Sequence, residues 1–293
     1  MPFSATTLTL CICFLTAISR VLLKLGFEKS NPLTGMVVSV VIGCLMLDSA
    51  ALIFSNPNDY SWNGVLFFAG IGIVAPPVVR YLTYLGVHTL GAARSDPVRS
   101  LTPFFAILFA IIFLNEPFSA RLVFAAFLIF SGVIALSRLE GSSGNQSNWR
   151  RWDLLYPLLA AMLAGGVANL RKFGSGLSIS PLVGAASAAT SALLVFSLFL
   201  FVTGKHRNLR VEKKSMRHFI LSGICTSGTD VLDILALKLG KVSVVAPLLA
   251  ASPLFIIAFS HLFLKRLEKV TPALLISALL IFLGVQVILF THN

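Results

Sequence analysis

The chain has 293 residues, of which 57% are hydrophobic and only 12% charged, well below the roughly 25% charge of a typical soluble domain. This balance excludes a soluble protein and predicts one embedded in a lipid bilayer. The formal net charge of +12 does not indicate nucleic acid, because the basic residues lie mainly in connections and at span ends, where positive-inside orientation and anionic headgroups favour them. We therefore expect a multi-pass protein of the cell membrane.

Apolar runs of the roughly 20 residues needed to cross a bilayer recur along the whole chain. Short connections with turn residues, such as Asn31-Pro32 and Ser180-Pro181, separate them. The first run lacks the basic start of a cleavable signal, so we interpret it as the first span. The pattern predicts an all-α membrane protein with about ten transmembrane helices, near residues 4–26, 33–54, 63–87, 92–114, 118–138, 153–173, 181–203, 217–238, 242–264 and 271–290.

One polar segment interrupts this apolar chain. EGSSGNQSN at residues 140–148 has the composition of a flexible linker. It divides the spans five and five, which predicts two five-helix domains over residues 1–139 and 149–293.

The two halves share motifs at matching places. LKLG at residues 23–26 recurs as RKFG at residues 171–174, and PVRSLTPFF at residues 97–105 aligns with PLLAASPLF at residues 247–255. An odd number of spans per unit places the two copies in opposite orientation across the membrane. We therefore expect two inverted five-helix repeats with a substrate site near the midplane, as in many secondary transporters.

Charged side chains within the spans are costly, about +2.5 to +3.5 kcal/mol at a helix centre, so we expect them to pair or to face a cavity. Arg20 and Lys24 lie four residues apart on one face of the first span, and Asn169 with Lys172 gives the sixth span a comparable polar face. These faces predict a shared cavity in which Arg20, Asn169 and Lys172 bind substrate. The alternative for Arg20 and Lys24 is that both reach the membrane interface.

The third span carries Arg80 one turn beyond the Pro76-Pro77 pair, which must interrupt helical hydrogen bonds. Irregular backbone at membrane depth is tolerated where it lines protein or water, so Arg80 and Tyr84 are predicted to bind substrate. A buried ion pair between Arg80 and Asp48 of the second span is the alternative. Asp48 is interpreted either as a counter-ion of Arg20 or Arg80, or as a proton carrier.

The fourth span begins with the charged sequence GAARSDPVR at residues 91–99. Asp96 and Arg99 are three residues apart and can share a helix face, whereas Arg94 points elsewhere and lies close to water. Arg99 is deeper and is predicted to bind substrate. Asp96 is predicted to pair with a cation or to carry a proton.

The eighth span places Asp230 and Asp233 on one face together with Thr226. Two close carboxylates repel, so one of them is predicted to hold a proton, with neutralisation by arginines of other spans as the alternative. Across all spans, the intramembrane charges leave a small positive surplus in the first half. Because arginine suits carboxylate and phosphate groups, this surplus predicts an anionic or zwitterionic substrate.

Three segments give the chain a family resemblance: SRVLLKLGFEKSNPLT, SLTPFFAILFAIIFLNEPFSARLVFAAFLIFSGVIAL and ASPLFIIAFSHLFLKRLEKVTPALLISALLIFLGVQVIL. With them the chain resembles the drug/metabolite transporter superfamily, in particular its EamA-type permeases with two five-helix repeats. The second copy departs from the pattern at Lys265-Arg266. The resemblance covers nearly the whole chain and implies a permease or exporter of small molecules.

These observations predict a secondary transporter that moves a small polar, anionic or zwitterionic metabolite by alternating access. A flippase for a lipid-linked phosphate substrate is the alternative. No nucleophile elbow, His-rich metal motif or phosphate-binding glycine loop occurs in the sequence, so we predict no enzyme, no cofactor and no metal site. Glu116 and Glu268 end equivalent loops and are expected to have no catalytic role. Protons are the candidate coupling ion, and the protein is either a monomer or a homodimer.

The orientation in the membrane is predicted differently by two arguments. One set of connections, including the basic loop at residues 204–218, carries far more Lys and Arg than the other. The positive-inside rule places that set in the cytoplasm and both termini outside. The family resemblance implies that both termini lie inside.

Overall fold

The computed structural model describes residues 4–27, 30, 32–90, 98–99, 101–116, 120–140, 151–204 and 212–252, with single positions between 255 and 287. Within these residues every regular element is a helix, which confirms the predicted all-α membrane fold. Six of the described helices are long and apolar enough to cross a bilayer, and two shorter apolar helices accompany them.

The described helices follow the predicted spans closely. The eighth span begins earlier than expected, because the basic segment that starts at Lys213 is already helical. The helices in chain order are α1 (Ala5–Phe27), α2 (Pro32–Phe54), α3 (Trp62–Val74), α4 (Arg80–Leu90), α5 (Thr102–Leu114), α6 (Ala120–Glu140), α7 (Leu155–Gly174), α8 (Pro181–Val202), α9 (Lys213–Leu239) and α10 (Val242–Leu249).

Local sequence explains where several helices begin and end. Pro32 and Pro181 are the first residues of α2 and α8, a position where the missing amide hydrogen costs nothing. The Ser61 hydroxyl accepts a hydrogen bond from the Gly64 amide and caps α3. Asn115 ends α5 in the left-handed conformation at φ 51°, which asparagine tolerates better than most residues.

The Pro76-Pro77 pair lies in a π-helical segment, Ala75–Val79, that joins α3 to α4. The third span is therefore irregular at the prolines, as the sequence predicts, and the irregularity takes the form of a π-turn. A π-turn leaves room for residues that cannot donate a backbone hydrogen bond. This irregular segment packs against α7, α8 and the two helices it joins, in agreement with irregular backbone being covered by protein at membrane depth.

Contacts between helix ends give the helix directions. Gly240, just after α9, lies against Ala5 at the start of α1, and Gly26 near the end of α1 lies against Phe219 near the start of α9. Helices α1 and α9 are therefore antiparallel. Helix α7 ends beside the end of α9, where Lys172 donates to the Gly240 carbonyl. It follows that α1 and α7 run in opposite directions and that the two repeats are inverted, as predicted.

These directions define two faces of the molecule. The A face carries Ala5, Asp59, Ser180 and Gly240, and the Ser180 amide donates to the Asp59 carbonyl at 3.2 Å across the two repeats. The B face carries the opposite helix ends, including the start of α9 at Lys213.

Packing between the repeats is symmetric. Helix α1 packs against α9 and α10, and its counterpart α7 packs against α4 and α5. Helix α2 packs against α9, and its counterpart α8 packs against α3. The pairs α2 with α8 and α5 with α10 each join a helix to its own counterpart. Such pairing is expected of two copies related by an axis in the membrane plane.

Candidate functional site

Three charged side chains meet between α7 and α9, and we call them the Arg171 cluster. Arg171 Nη1 donates to Asp233 Oδ2 at 2.6 Å, and Arg171 Nη2 donates to Asp230 Oδ1 at 3.2 Å. The side chains of Arg171 and Asp233 are 19% and 14% exposed, whereas that of Asp230 is 40% exposed. The guanidinium thus holds one largely buried carboxylate and one that keeps open surface.

Helix geometry places the Arg171 cluster between two apolar cores. Asp230 and Asp233 lie three residues apart and share one face of α9, as predicted. Val231 and Ile234 pack on one side with α2, α3 and α8. Ala236 packs on the other side with α1, α5 and α10. The cluster lies on the seam of these cores, where an unpaired charge would be costly.

The charges of the cluster do not cancel. Two carboxylates share one guanidinium, so the ionised cluster carries one negative charge. Asp230 has the longer bond and the greater exposure, which makes it the member best able to take a further positive partner. The alternative that the sequence leaves open, neutralisation by an arginine of another span, is found at Arg171. A proton-carrying role for Asp230 or Asp233 stays a prediction.

Three hydroxyls form a second cluster between α1 and α9. Ser19 Oγ shares hydrogen bonds with Ser222 Oγ at 2.8 Å and with Thr226 Oγ1 at 3.0 Å. Ser19 lies about 21 Å from the A-face end of α1 at 1.5 Å per residue, about 5 Å beyond the middle of the helix on the B-face side. Thr226 precedes Asp230 by one helical turn, so the hydroxyls and the Arg171 cluster follow one another along α9. Arg20, the next residue after Ser19, is exposed.

Two predicted substrate ligands on α7 bind other parts of the protein. Lys172 Nζ donates to the carbonyls of Leu237 and Gly240, both at 2.6 Å, at the end of α9 where carbonyls lack helical partners and attract a cation. Asn169 is 6% exposed, and its Nδ2 donates to the Ala106 carbonyl of α5 at 3.0 Å. Asn169 Oδ1 is a buried acceptor without a partner among the described residues. Both side chains therefore have structural roles, and substrate contact at either stays a prediction.

Glu116 follows α5 of the first repeat and caps α10 of the second. Its Oε1 accepts a hydrogen bond from the Val242 amide at 2.7 Å, and its Oε2 accepts from the Ser243 amide at 3.0 Å and the Ser243 hydroxyl at 2.6 Å. The first amides of a helix have no helical acceptor and favour a negative charge. The sequence assigns Glu116 only to a loop, whereas the structure shows a buried bond between the repeats.

The predicted ligands of the first repeat are only partly described. Arg99 Nη1 donates to Thr83 Oγ1 of α4 at 2.7 Å, so Arg99 joins the third and fourth spans. The side chains of Arg80 and Tyr84 lie outside the described residues, and so does Asp96 as a whole. Their predicted roles remain predictions.

Asp48 of α2 contacts α8. Thr190 Oγ1 lies 2.9 Å from both Asp48 carboxylate oxygens, and Cys44 Sγ donates to Asp48 Oδ2 at 3.1 Å. Neither described ion pair involves Asp48, so the expected pairing with Arg20 does not form in the described part of the chain. Pairing with Arg80 concerns a side chain outside the described residues.

Sequence reasoning missed Arg171, Glu116 and Thr190 for different reasons. Arg171 lies three residues before the end of α7 and looks like part of a loop. Thr190 stands in a span without charges, so nothing in its own helix marks it. The available signal for Arg171 and Glu116 was the repeat itself, because both lie in or beside the motifs that recur.

The described residues include no group of three His, Cys, Asp or Glu side chains that could hold a metal ion. Comparison with known proteins agrees with the sequence resemblance. The model of the EamA-like transporter family matches residues 3–138 and 151–290, once in each half of the chain. One solved crystal structure has a TM-score of 0.75 at 17% identity and covers 98% of this chain and 96% of its own, which shows a shared fold. No curated protein matches the chain.

Proposed function

Because the chain belongs to the EamA-like transporter family and is a multi-pass membrane transporter, we propose that it moves a small zwitterionic metabolite across the cell membrane by alternating access between its inverted repeats. The observation that carries the substrate class is the negative charge of the Arg171 cluster at Asp230, which no second cation among the described residues neutralises. A ligand ammonium group would complete that cluster. An anionic substrate without a positive group would be repelled there.

Arg20 on the neighbouring helix α1 is a cation that could bind the negative end of a zwitterion. Arg20 lies about 22.5 Å from the A-face end of α1, and Asp230 lies about 13.5 Å from the A-face end of α9. The difference in depth, about 9 Å, is within the reach of two side chains holding opposite ends of a small zwitterion. The hydroxyls of Ser19 and Thr226 lie between these depths and would provide neutral hydrogen-bond partners.

Alternating access is supported by the symmetric packing of the repeats. In such a plan the two halves exchange conformations, so the face that is closed in one state opens in the other. On the A face the two repeats are joined by the Glu116 cap on α10 and by the Ser180–Asp59 backbone bond. Both bonds join different repeats, so an opening of the A face would have to break or move them.

Transport by purified protein in liposomes tests the substrate class. The panel contains labelled amino acids, matched amines without the carboxylate and matched acids without the ammonium group. We expect exchange of the zwitterions only. Asp230→Asn and Arg20→Gln should each raise KM about tenfold or more, since a hydrogen bond to a charged group contributes about 1.5–3 kcal/mol. Arg121→Gln, at the exposed start of α6, is the matched control. Equal transport of the acids without an ammonium group would refute the zwitterion proposal.

The B face is the proposed cytoplasmic side, because the basic start of α9 at Lys213, Lys214 and Arg217 lies there. The N-terminus of α1 lies on the A face and would then be outside. A tag at the N-terminus should be accessible to antibody on intact cells. Access only after permeabilisation would support the opposite orientation, which the family resemblance implies.

A further inference from the structure

The contact between Asp48 and Thr190 lies within the membrane and joins the two repeats. Asp48 is about 9 Å from the A-face end of α2 at Phe54, and Thr190 is about 14 Å from the A-face end of α8 at Pro181. Thr190 Oγ1 lies 2.9 Å from each Asp48 oxygen, and Cys44 Sγ lies 3.1 Å from Asp48 Oδ2. A polar contact at this depth needs every donor and acceptor satisfied by protein.

The Thr190 hydroxyl has more acceptors than protons. It lies within hydrogen-bond distance of the Asp48 carboxylate and also of the Ala186 carbonyl, at 3.0 Å. If Asp48 is ionised, the single Thr190 proton goes to the carboxylate and the Ala186 carbonyl loses this bond. If Asp48 is protonated, it donates to Thr190 Oγ1, Thr190 donates to Ala186, and Cys44 donates to the second carboxyl oxygen. Each donor then has its own acceptor.

Among the described residues, no ion pair fixes Asp48 as an anion. Helix α8 has no charged residue, and neither described ion pair includes Asp48. On α9 the acids at similar depth, Asp230 and Asp233, are bonded to Arg171. On α1, Arg20 lies about 22.5 Å from the A-face end, toward the B face.

We propose that Asp48 binds a proton at the interface of α2 and α8 and that this proton stabilises one of the two access states. On binding, the proton joins a carboxylate oxygen and the Thr190 hydroxyl turns from Asp48 to the Ala186 carbonyl. On release, the proton leaves and the hydroxyl turns back. The role in transport rests on the proposed alternating access, whereas the binding of the proton does not.

The repeat explains why the proton favours one state. Aligning Pro32 with Pro181, the first residues of the two helices, places Ser197 at the position of Asp48 and Val41 at the position of Thr190. The counterpart pair has no acid and cannot bind a proton. An exchange of conformations between the repeats therefore replaces the Asp48–Thr190 contact, which can bind a proton, with the Ser197–Val41 contact, which cannot.

The ligand set at this contact suits a proton better than a metal ion. It offers one carboxylate, one hydroxyl and one thiol, whereas hard cations require six or so oxygen ligands at short range. Among hard cations, sodium is the alternative ligand that the experiment has to exclude.

Infrared difference spectroscopy of the full chain in lipid nanodiscs, with pH as the only variable, tests the proposal. We expect a carbonyl band of a neutral carboxylic acid that disappears on alkalinisation. Asp48→Asn should abolish the band, and Asp59→Asn, which changes an acid on the A-face connection, should retain it. Thr190→Val should shift the band because the acid loses its acceptor, and Thr190→Ser should restore the original position.

Three results would overturn the proposal. The first is an unchanged band in Asp48→Asn, and the second is an unshifted band in Thr190→Val. The third is a carboxylate signal of Asp48 that depends on sodium and not on pH. If Asp48→Asn fails to fold, the two Thr190 variants still decide. If the band behaves as expected while an imposed pH gradient drives no substrate uptake in liposomes, proton binding stands and its role in transport is refuted.

Discussion

Placing a charged side chain inside the bilayer costs free energy. The Arg171 cluster brings three such side chains together between α7 and α9. Arg171 bonds two carboxylates that would otherwise repel each other three residues apart on α9. Asp233 is the more buried of the two and has the shorter bond. The stability of the cluster is therefore expected to depend on Arg171 first, on Asp233 second and on Asp230 least.

Arg171→Met tests this order. Removing the guanidinium leaves two uncompensated carboxylates, and breaking a buried pair costs about 3–5 kcal/mol; the partial exposure of Asp230 places the expected loss near the lower end. Thermal unfolding in detergent should show a much lower midpoint for Arg171→Met. Adding Asp233→Asn to that variant should restore part of the loss, whereas adding Asp230→Asn should restore less. A wild-type midpoint for Arg171→Met would show that the cluster contributes nothing to stability.

The residues that the sequence could identify are those whose own position is unusual. Asp230, Asp233 and Asp48 stand out because an acid in an apolar span is rare, and all three lie at polar contacts between helices. Lys172 also stood out, but its partners are the carbonyls at the end of α9. The periodicity of α7 alone does not show that α9 ends beside it. Thr190 could not be found, because its hydroxyl becomes important only when Asp48 lies opposite.

Charged side chains of the first repeat and of α7 bond to the ends of α9 and α10. The turn between α9 and α10 is held from both sides: Lys172 bonds the last carbonyls of α9, and Glu116 bonds the first amides of α10. Each charge has the sign that the helix end favours. The sequence shows both charges but does not show which helix end each one meets, because that depends on packing between repeats.

Glu116→Ala should destabilise the α10 terminus. It leaves the buried amides of Val242 and Ser243 without acceptors, at about 1–3 kcal/mol for an unsatisfied group. We expect a lower thermal midpoint and faster hydrogen exchange at these two amides, with Glu116→Gln intermediate because it keeps one acceptor. Unchanged exchange at Val242 and Ser243 would contradict the capping role. The repeat predicts a similar loss for Glu268→Ala, at a position outside the described residues.

Close packing of α3 on α8 depends on a glycine. A Cβ at Gly72 would collide with the Ala188 carbonyl oxygen and with Ser191 Oγ, whereas a Cβ at Gly70 would meet nothing within 4 Å. The serine side chain can turn away, but the backbone carbonyl cannot. Small residues at such contacts let membrane helices approach closely.

Gly72→Ala is expected to lower stability by about 1–3 kcal/mol, the usual cost of overpacking. Gly70→Ala, two residues away on the same helix, is the matched control and should be neutral or slightly stabilising because alanine favours helix. Thermal midpoints of the two variants in the same detergent give the comparison. Equal midpoints would mean that α3 and α8 separate at low cost.

The whole molecule is an arrangement of two inverted repeats, and the sequence predicts this arrangement well. Ten apolar runs, the motif pairs and the odd number of spans per half together require it. The structure adds which helices meet: the described helices of one repeat pack mainly against the other repeat. The sequence could not supply these pairings, because apolar surface shows that a helix is buried but not by which neighbour. It also could not show that the Pro76-Pro77 pair widens the helix into a π-turn.

Alternating access is the central claim, and paired distances across the two faces test it most directly. Spin labels replace Asn56 and Lys241 on the A face in one protein, and Ser30 and Lys214 on the B face in another. Three of the native cysteines are changed to alanine, and Cys44 is changed to serine, which keeps a donor to Asp48. Electron resonance distances are measured in nanodiscs with and without a transported zwitterion. We predict that one distance lengthens while the other shortens. Distances that stay fixed, or that change in the same direction on both faces, would contradict the exchange of conformations between the repeats.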